Sequence, residues 1–448
     1  MKKAGVILLS LFAVASSALA EKFLSVSDIH FNPFADPAIV AKLEAADVSQ
    51  WDAILASSTV TAFSPAGSDT NDPLLRSAFG EMQKQLPSPA FVLISGDFLA
   101  HSFDKNYQQY ASDKSQTAYT AFVKKTIAYV ALKLHHAYPG ARIYPTLGNN
   151  DSDCGDYAMA AHGAFLADFR DVWNPIVASR SFQRRFPAGG YYHADVPGLK
   201  NVRVIAVNTN FFSTNYKNCG TPGPDPGMQQ LQWLEAELLL ARSEGKRVWL
   251  LLHIPPGIDV YDTERDGTCP SLTPQTFWKD EYAKKYLAIA AAHRHTILGS
   301  FAGHTHQDEF RIVAGNFVHV TPSLTPVFGN NPAFEIVDVG SKGDVTGYVA
   351  WNLPNVAIPW KREYSFNEAY AESTYDTATL TKLAAAIGGD AATRQKYFTY
   401  YSSSSPKSTA DALAKWQGYW CGLQAMTGTA FTACRCTPPM AGSTETTH

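Results

Sequence analysis

The chain has 448 residues, of which 46% are hydrophobic and 17% are charged, and its formal net charge at pH 7 is −3. This composition is ordinary for a globular protein with one large domain or two smaller ones. The near-neutral charge gives no electrostatic reason to expect nucleic acid or an anionic membrane surface as a partner.

The first segment of the chain, residues 1–20, is predicted to be a cleaved signal peptide. Two lysines precede a short apolar run, which ends in the small-x-small pattern Ala18-Leu19-Ala20. A membrane anchor is the alternative, but no second charged flank follows the apolar run. No later run is apolar for long enough to cross a bilayer. We therefore expect a protein that is secreted or periplasmic, without stable insertion into a membrane.

Five short apolar runs, rich in Val, Ile, Leu and Phe, end in polar loops and are predicted to be buried strands. They are KFLSVS before Asp28, AFVLIS before Gly96, ARIYPTL before Gly148, RVWLLL before His253 and TILGSFA before Gly303. Helices are predicted between several of them, at 119–134 and from Pro226 to shortly before Gly245. This alternation predicts a layered α/β domain. Strand signals without helices at 312–352 indicate that part of the sheet is antiparallel.

The composition changes near Pro354, after which the chain is rich in Ala, Tyr, Ser and Thr and mostly helical in period. We predict a larger domain at 21–355 and a small helical, cysteine-containing region at 356–448. The last residues, AGSTETTH, are predicted to be disordered.

All six cysteines follow the predicted cleavage site, and an even count in an exported chain favours disulfide bonds. No CxxC pair is present, which argues against zinc bound by cysteine. We predict a bond from Cys421 to either Cys434 or Cys436 and a second bond between Cys219 and Cys269. The sequence does not fix this pairing.

Polar side chains follow each of the five predicted strands, where sites gather in open α/β sheets. The set of seven comprises Asp28, His30, Asp97, Asn149, His253, His304 and His306. Imidazoles mixed with oxygen donors suit zinc, manganese or iron(II) better than calcium. The sequence therefore predicts a site for two divalent metal ions.

The spacing of these residues fits shared metal ligation. Asp28 and His30 point to the same side of an extended segment, so that both can reach one ion. The carboxylate of Asp97 has two oxygens and can bridge two ions. Glycines precede Asp97, Asn149 and His304, and they allow the backbone to turn tightly beside the ions.

The ordered set DxH, GD, GN, H and GHxH resembles the calcineurin-like metallophosphoesterases. The segments LSVSDIHFNP, GDFLAH, HIPPG and GHTHQDEF, with YYSSSSP and WCG near the end, are similar to those of acid sphingomyelinase-like phosphodiesterases. The resemblance extends from about residue 23 to residue 436. It implies a four-layer sandwich of two mixed β-sheets flanked by helices, in which residues 21–355 form the catalytic domain.

The resemblance also implies roles for individual residues. Asp28, His30 and His306 would hold one ion, commonly zinc, with manganese or iron as alternatives. Asn149, His253 and His304 would hold the second, Asp97 would bridge the two, and a metal-bound hydroxide would attack phosphorus. His101, four residues after Asp97, matches a histidine that protonates the leaving group.

Asn150 stands where many relatives have a second catalytic histidine, in GNH rather than GNND. An amide can donate a hydrogen bond to a phosphoryl oxygen, but it cannot deliver a proton in this role. We therefore expect an active enzyme with one acid, His101, and with Asn150 contacting the phosphoryl group. Asp151 and Asp153 are expected to be solvated loop acids, with hydrogen-bond acceptors behind the ligands as the alternative. His319 is expected to face the core.

The sequence thus predicts an exported two-metal phosphodiesterase that acts on a small-molecule or lipid phosphoester. Sphingomyelin, other phosphocholine esters and nucleotides are candidate substrates. A phosphomonoesterase or an endopolyphosphatase is the alternative within enzymes, since endopolyphosphatase-like relatives share GNND. A surface-binding protein that keeps metals for stability is the non-enzymatic alternative.

Overall fold

The computed structural model describes residues 21–437, so the predicted signal peptide and the predicted disordered tail from Ala441 lie outside the described residues. The strands of the described part are β1 (Glu21–Val26), β2 (Phe91–Ile94), β3 (Arg142–Pro145), β4 (Tyr192–Asp195), β5 (Val202–Ala206), β6 (Arg247–Leu251), β7 (Ile258–Asp259), β8 (Gln275–Thr276), β9 (Ile297–Ala302), β10 (Glu309–Val313), β11 (Asn316–Val320), β12 (Ala333–Val339), β13 (Val345–Asn352) and β14 (Lys361–Ser365).

The α-helices lie between these strands and after them. They are α1 (Val40–Ala45), α2 (Trp51–Ala56), α3 (Asp72–Gln85), α4 (Phe103–Tyr110), α5 (Gln116–Ala137), α6 (Ala164–Val177), α7 (Arg180–Gly189), α8 (Pro226–Ser243), α9 (Val260–Asp266), α10 (Asp280–Ala292), α11 (Phe366–Tyr370), α12 (Thr377–Gly389), α13 (Ala391–Tyr401), α14 (Pro406–Ala414), α15 (Trp416–Gly422) and α16 (Gly428–Cys436). The two helices predicted from the sequence correspond to α5 and α8. Within residues 21–437, none of the helices combines the length and the apolar character needed to cross a bilayer.

Two six-stranded mixed sheets form the centre of the fold. Their strand orders are β14-β13-β12-β1-β2-β3 and β10-β11-β9-β6-β5-β4. β1, β2 and β3 run parallel, as do β5, β6, β9 and β11, whereas β12, β13 and β14 pair antiparallel. This confirms the predicted fold class of two mixed sheets flanked by helices. It also confirms a partly antiparallel arrangement at 312–352.

The sheets pack on each other through large aromatic side chains. The ring of Phe23 on β1 lies 5.6 Å from that of Trp249 on β6 and 5.4 Å from that of Phe301 on β9, measured between centroids. All three side chains are buried, and burying rings of this size is a large favourable term in folding. The packing brings the carboxyl ends of β1, β2 and β3 next to those of β6 and β9.

The C-terminal region is helical, as predicted, from α11 to α16. However, β14 lies after the predicted domain boundary at residue 355 and still pairs with β13 in the first sheet. The division of the chain at residue 355 stays a prediction.

Three disulfide bonds join Cys154 to Cys219, Cys269 to Cys436, and Cys421 to Cys434. Of the two alternatives for Cys421, Cys434 is therefore the partner. The predicted bond between Cys219 and Cys269 is wrong, because Cys219 closes the loop after β3 and Cys269 reaches the last helix. Disulfides of this number fit a protein that folds in an oxidising compartment.

Candidate metal centre

All seven predicted ligands lie together at the carboxyl ends of β1, β2, β3, β6 and β9. Asp97 lies in the middle, because its Oδ2 atom is 3.3 Å from Nε2 of His30 and 3.3 Å from Nε2 of His253. This position between two histidines is the one required of a carboxylate that bridges two ions. His30, Asp97 and Asp28 place their ligand atoms within 4.8 Å of one another.

The remaining ligands divide into two groups around Asp97. On one side, Oδ1 of Asp28 lies 3.4 Å from Nε2 of His306 and 3.8 Å from Nε2 of His30. On the other side, Oδ1 of Asn149 lies 3.0 Å from Nε2 of His253. The ring of His304 is 5.2 Å from the ring of His253 between centroids. These distances place the side chains in two groups, in the same division that the resemblance implies for the two ions.

Hydrogen bonds to the backbone fix which nitrogen of each inner histidine faces the centre. Nδ1 of His30 donates to the carbonyl of Leu99 at 2.8 Å, and Nδ1 of His253 donates to the carbonyl of Ser95 at 2.6 Å. A carbonyl only accepts, so the proton must be on Nδ1 and the Nε2 lone pair of the neutral ring points inward. Among the described residues, Nε2 of His30 is buried without a hydrogen-bond partner, as expected of an atom that ligates a metal ion.

Five of the predicted ligands have a left-handed backbone conformation that residues with a side chain rarely adopt. Their φ angles are +48° at Asp28, +43° at His30, +57° at Asp97, +75° at His304 and +63° at His306. Strained backbone of this kind persists where the surrounding structure enforces it, and it concentrates at functional sites.

Two of the predicted glycines are required because the backbone passes close to ligand carboxylates. A Cβ atom on Gly148 would lie 1.9 Å from Oδ1 of Asp97, and one on Gly303 would lie 2.6 Å from Oδ2 of Asp28. Both distances are far shorter than a van der Waals contact. The close approach lets the backbone amide of His304 donate to the Asp28 carboxylate at 3.1 Å.

The buried carboxylates require positive charge beside them. Burial lowers the pKa of His30, but Asp97, Asp28 and Asp69 together outweigh it and raise that pKa to about 10. The pKa of His253 is likewise raised to about 9 by Asp97, against the effect of burial. Burial lowers the pKa of His304 and of His306 to about 3, which keeps these rings neutral and able to ligate. Protons and divalent cations would compete for the same atoms, and the donor set fits two such cations.

The two predicted catalytic residues lie beside the ligands. The His101 ring stacks on the His30 ring with centroids 4.0 Å apart, and it lines the cavity above the centre. The side-chain amide of Asn150 donates to Oδ2 of Asp97 at 3.0 Å, and its backbone amide donates to Oδ1 of Asp97 at 2.8 Å. Asn150 therefore holds the carboxylate of Asp97 in place with two hydrogen bonds.

Asp151 is not the solvated loop acid that the sequence favoured. It is fully buried and accepts hydrogen bonds from the backbone amides of Asp97, Phe98 and Gly148 at 2.8–2.9 Å. Burial and the charge of Asp97 raise the pKa of Asp151 to about 6. The side chain thus fixes the turn that carries Asp97, which is the alternative role considered for it. Asp153 is half-buried and accepts from Thr120.

Asp156 was not singled out by the sequence, yet it contacts a predicted ligand. Its Oδ1 atom accepts a hydrogen bond from Nδ2 of Asn149 at 2.8 Å. Because a carboxylate only accepts when ionised, this bond turns the Asn149 amide so that its oxygen faces His253. The contact between Asp156 and Asn149, seven positions apart, depends on the conformation of the loop, and no pattern in the sequence predicts it.

A cavity of about 440 Å³ opens above the centre, and it is lined by acidic and aromatic side chains. Its carboxylates include Asp156, Asp259, Asp262 and Asp411, and its rings include Tyr157, Tyr261, Phe277, Phe328 and Tyr419. No lysine or arginine is found among the described residues that line it. The C-terminal helices contribute Asp411 and Tyr419, so this region forms part of the cavity wall. His319, as expected, lies in the core, where Nε2 contacts Glu335 at 2.7 Å.

No model of a known protein family matches the chain. Several curated proteins with detectable similarity are named phosphodiesterases. The chain is 27% identical over 385 residues to human acid sphingomyelinase-like phosphodiesterase 3b, covering 81% of this chain and 79% of that protein. It is 28% identical over 402 residues to sphingomyelinase phosphodiesterase D of Dictyostelium discoideum, covering 81% and 83%.

A third relative has a name that points to a different substrate. Cyclic GMP-AMP phosphodiesterase SMPDL3A of Rattus norvegicus is 25% identical over 359 residues, covering 74% of this chain and 75% of that protein. The three alignments cover between 74% and 83% of each protein. The chain is therefore a homologue of acid sphingomyelinase-like phosphodiesterases.

Proposed function

We propose that the chain is an exported two-metal phosphodiesterase. The observation that carries this proposal is the convergence of seven nitrogen and oxygen donors around Asp97, with the Nε2 atoms of His30 and His253 aimed inward. Two divalent ions held there would activate water and neutralise charge on a phosphoryl group. Zinc is the ion that the mixed donor set favours, with manganese and iron as alternatives.

The residues around the ligands have separate tasks in this proposal. Asp151 and Asn150 hold Asp97 in its bridging position, and Asp156 orients the amide of Asn149. His101 supplies a proton to the leaving group from the cavity side of the centre. The cavity aligns the diester with these groups, which lowers the entropic cost of the reaction.

The charge of the cavity favours a phosphodiester with a cationic group, such as a phosphocholine ester. Five carboxylates, counting Asp97, and several aromatic rings line the cavity, and an alkylammonium ion is attracted by both kinds of group. The relatives named as sphingomyelinases support this class, because sphingomyelin contains phosphocholine. A polyphosphate chain is disfavoured, since an extended polyanion would face carboxylates in a cavity whose described lining has no lysine or arginine.

A nucleotide phosphodiester is the second candidate. The aromatic side chains Tyr157, Phe277 and Tyr419 offer faces on which a base could stack. The relative named as a cyclic GMP-AMP phosphodiesterase supports this class. Export is supported by the three disulfide bonds and by the lysine-led, alanine-ended segment at 1–20.

A substrate panel with defined metal content tests the proposal. Purified protein is loaded with zinc, manganese or iron, and turnover is measured on bis-p-nitrophenyl phosphate, p-nitrophenyl phosphate, sphingomyelin, a cyclic dinucleotide and short polyphosphate. We expect two ions per chain and faster turnover of diesters than of the monoester or polyphosphate. The opposite order would favour the phosphomonoesterase or endopolyphosphatase. Metal-loaded protein that hydrolyses none of them would favour a binding protein.

A further inference from the structure

Asp69 makes two hydrogen bonds to the predicted acid, His101. Its Oδ2 atom accepts from the backbone amide of His101 at 2.8 Å, and its Oδ1 atom lies 2.9 Å from Nδ1 of the imidazole. The Asp69 side chain is 9% exposed, whereas that of His101 is 32% exposed. The pair therefore has its carboxylate on the protein side and its imidazole on the cavity side.

The segment that carries Asp69 is anchored beside the metal centre. Thr70 forms a bridge with Phe31, and its carbonyl accepts from the backbone amide of Asn32 at 2.8 Å. On the other side of Asp69, the amide of Gly67 donates to the carbonyl of Pro326 at 2.9 Å. Asp69 thus lies on a loop that is fixed at both ends.

The ring of His101 is held in one plane as well as at one nitrogen. It stacks on the His30 ring, with an angle of 20° between the two planes. It also packs against the Phe328 ring in a T-shaped arrangement, with the centroids 5.5 Å apart. Since Asp69 occupies Nδ1, the other ring nitrogen, Nε2, is the one available to the cavity. A carboxylate only accepts, so Nδ1 must carry a proton in either charge state of the ring.

We infer that Asp69 is a positioning residue for His101. This inference rests on the proposed phosphodiesterase function. The carboxylate fixes the Nδ1-protonated tautomer and aims Nε2 at the leaving group, as an acidic residue does for a histidine in other hydrolytic sites. The positioning of His101 matters because Asn150, which stands where many relatives have a second catalytic histidine, cannot supply a proton.

The proton balance of the step is complete without a further reactant. The bond from phosphorus to the leaving oxygen breaks, its electron pair stays on that oxygen, and the oxygen takes the proton from Nε2 of His101. Water forms the new bond to phosphorus and releases one proton, which restores the proton on Nε2. The proton on Nδ1 stays with the hydrogen bond to Asp69 throughout.

Leaving-group dependence separates this role from a structural one. The two substrates to compare are the phenyl and p-nitrophenyl esters of methylphosphonate, each of which has a single leaving group. The p-nitrophenolate leaves readily without protonation, whereas the more basic phenolate depends more on a proton from a general acid. We expect Asp69→Ala to slow hydrolysis of the phenyl ester by about 10²-fold, at the lower end of what a general acid contributes, and the p-nitrophenyl ester far less. In His101→Ala, adding Asp69→Ala should cause little further loss, because the two residues act as a unit.

Two controls keep the test specific. Asp104→Asn, on the helix that follows His101, should leave both esters unaffected, and metal content is measured in every variant. Long-range proton–nitrogen NMR of histidine-labelled protein should show the Nδ1-protonated tautomer of His101 in wild type and its loss in Asp69→Ala. This measurement does not require activity.

Three results would overturn the inference. Equal losses on both esters, additive losses in the double variant, or an unchanged His101 tautomer in Asp69→Ala would each make Asp69 a structural residue. Failure of the proposed function looks different, because metal-loaded wild type would then hydrolyse neither ester while the tautomer measurement still reports on the pair.

Discussion

Replacing Gly148 with alanine is expected to disrupt the metal centre, because the new methyl group would take the space of the bridging carboxylate. A Cβ atom on Gly148 would lie 1.9 Å from Oδ1, 2.4 Å from Cγ and 2.4 Å from the backbone nitrogen of Asp97. Favourable contacts of carbon atoms are at roughly 3.5–4.0 Å, so the Asp97 segment would have to move by more than about 1 Å. A displacement of about 1 Å can cost roughly 10²-fold in rate.

The change should also lower stability, by about 1–3 kcal/mol, as overpacking of a rigid interior does. The assay combines metal content after gel filtration, urea unfolding and turnover of bis-p-nitrophenyl phosphate. Gly80→Ala on α3 is the matched control, because a Cβ atom there meets no atom within 4 Å. Alanine is preferred to glycine inside a helix by about 0.5–1 kcal/mol, so this control should be more stable and fully active. A Gly148→Ala protein that keeps two ions and wild-type turnover would refute the reasoning about the centre.

Three further changes test other parts of the structure. Asp156→Ala frees the amide of Asn149, so one of the two ions should bind more weakly, and titration calorimetry with unchanged affinity for both would count against it. Replacing Cys269 and Cys436 by serine should lower the free energy of unfolding by about 2–5 kcal/mol. The change should also raise KM, since the bond ties α16 to the loop after α9, and α9 contributes Tyr261 and Asp262 to the cavity wall; an unchanged KM would argue against that coupling. Burial lowers the pKa of His319 to about 4, so the unfolded chain binds a proton between pH 6.5 and about 4 that the folded chain does not. The contribution of His319 to stability should therefore fall by on the order of 3 kcal/mol as the pH drops through this range, so that a lower pH favours wild type less than His319→Gln; equal pH dependence of the two proteins would contradict this assignment.

The clustering of the seven predicted ligands could be predicted from the sequence because each one follows one of five strands at a short distance. Apolar runs identify the strands, and parallel strands bring their carboxyl ends together whatever the loops between them do. The proximity of Asp28, Asp97 and His253 could therefore be predicted without knowledge of long-range contacts. The same argument predicts the two glycines next to ligands, since a tight turn directly after a strand requires them.

The residues behind the ligands could not be predicted in this way. Asp69 reaches His101 across 32 positions, and Asp151 reaches the amide of Asp97 across 54 positions. Such contacts depend on loop conformation rather than on the period of a strand or helix. The pairing of Cys269 with Cys436, 167 positions apart, was missed for the same reason.

The left-handed backbone at the ligands leads to a prediction about the balance between stability and function. At His304, with φ of +75°, any residue with a Cβ atom is strained, whereas glycine is not. His304→Gly and His304→Ala should both bind metal poorly, but the glycine variant should be more stable in urea by about 1–2 kcal/mol. At position 80, inside a helix, alanine should be the more stable residue, so the order of the two is expected to reverse between the sites. An alanine variant at 304 as stable as the glycine variant would mean that the fold stores no strain there. A reversal would mean that the protein retains an unfavourable conformation at this position because the imidazole must reach the metal centre.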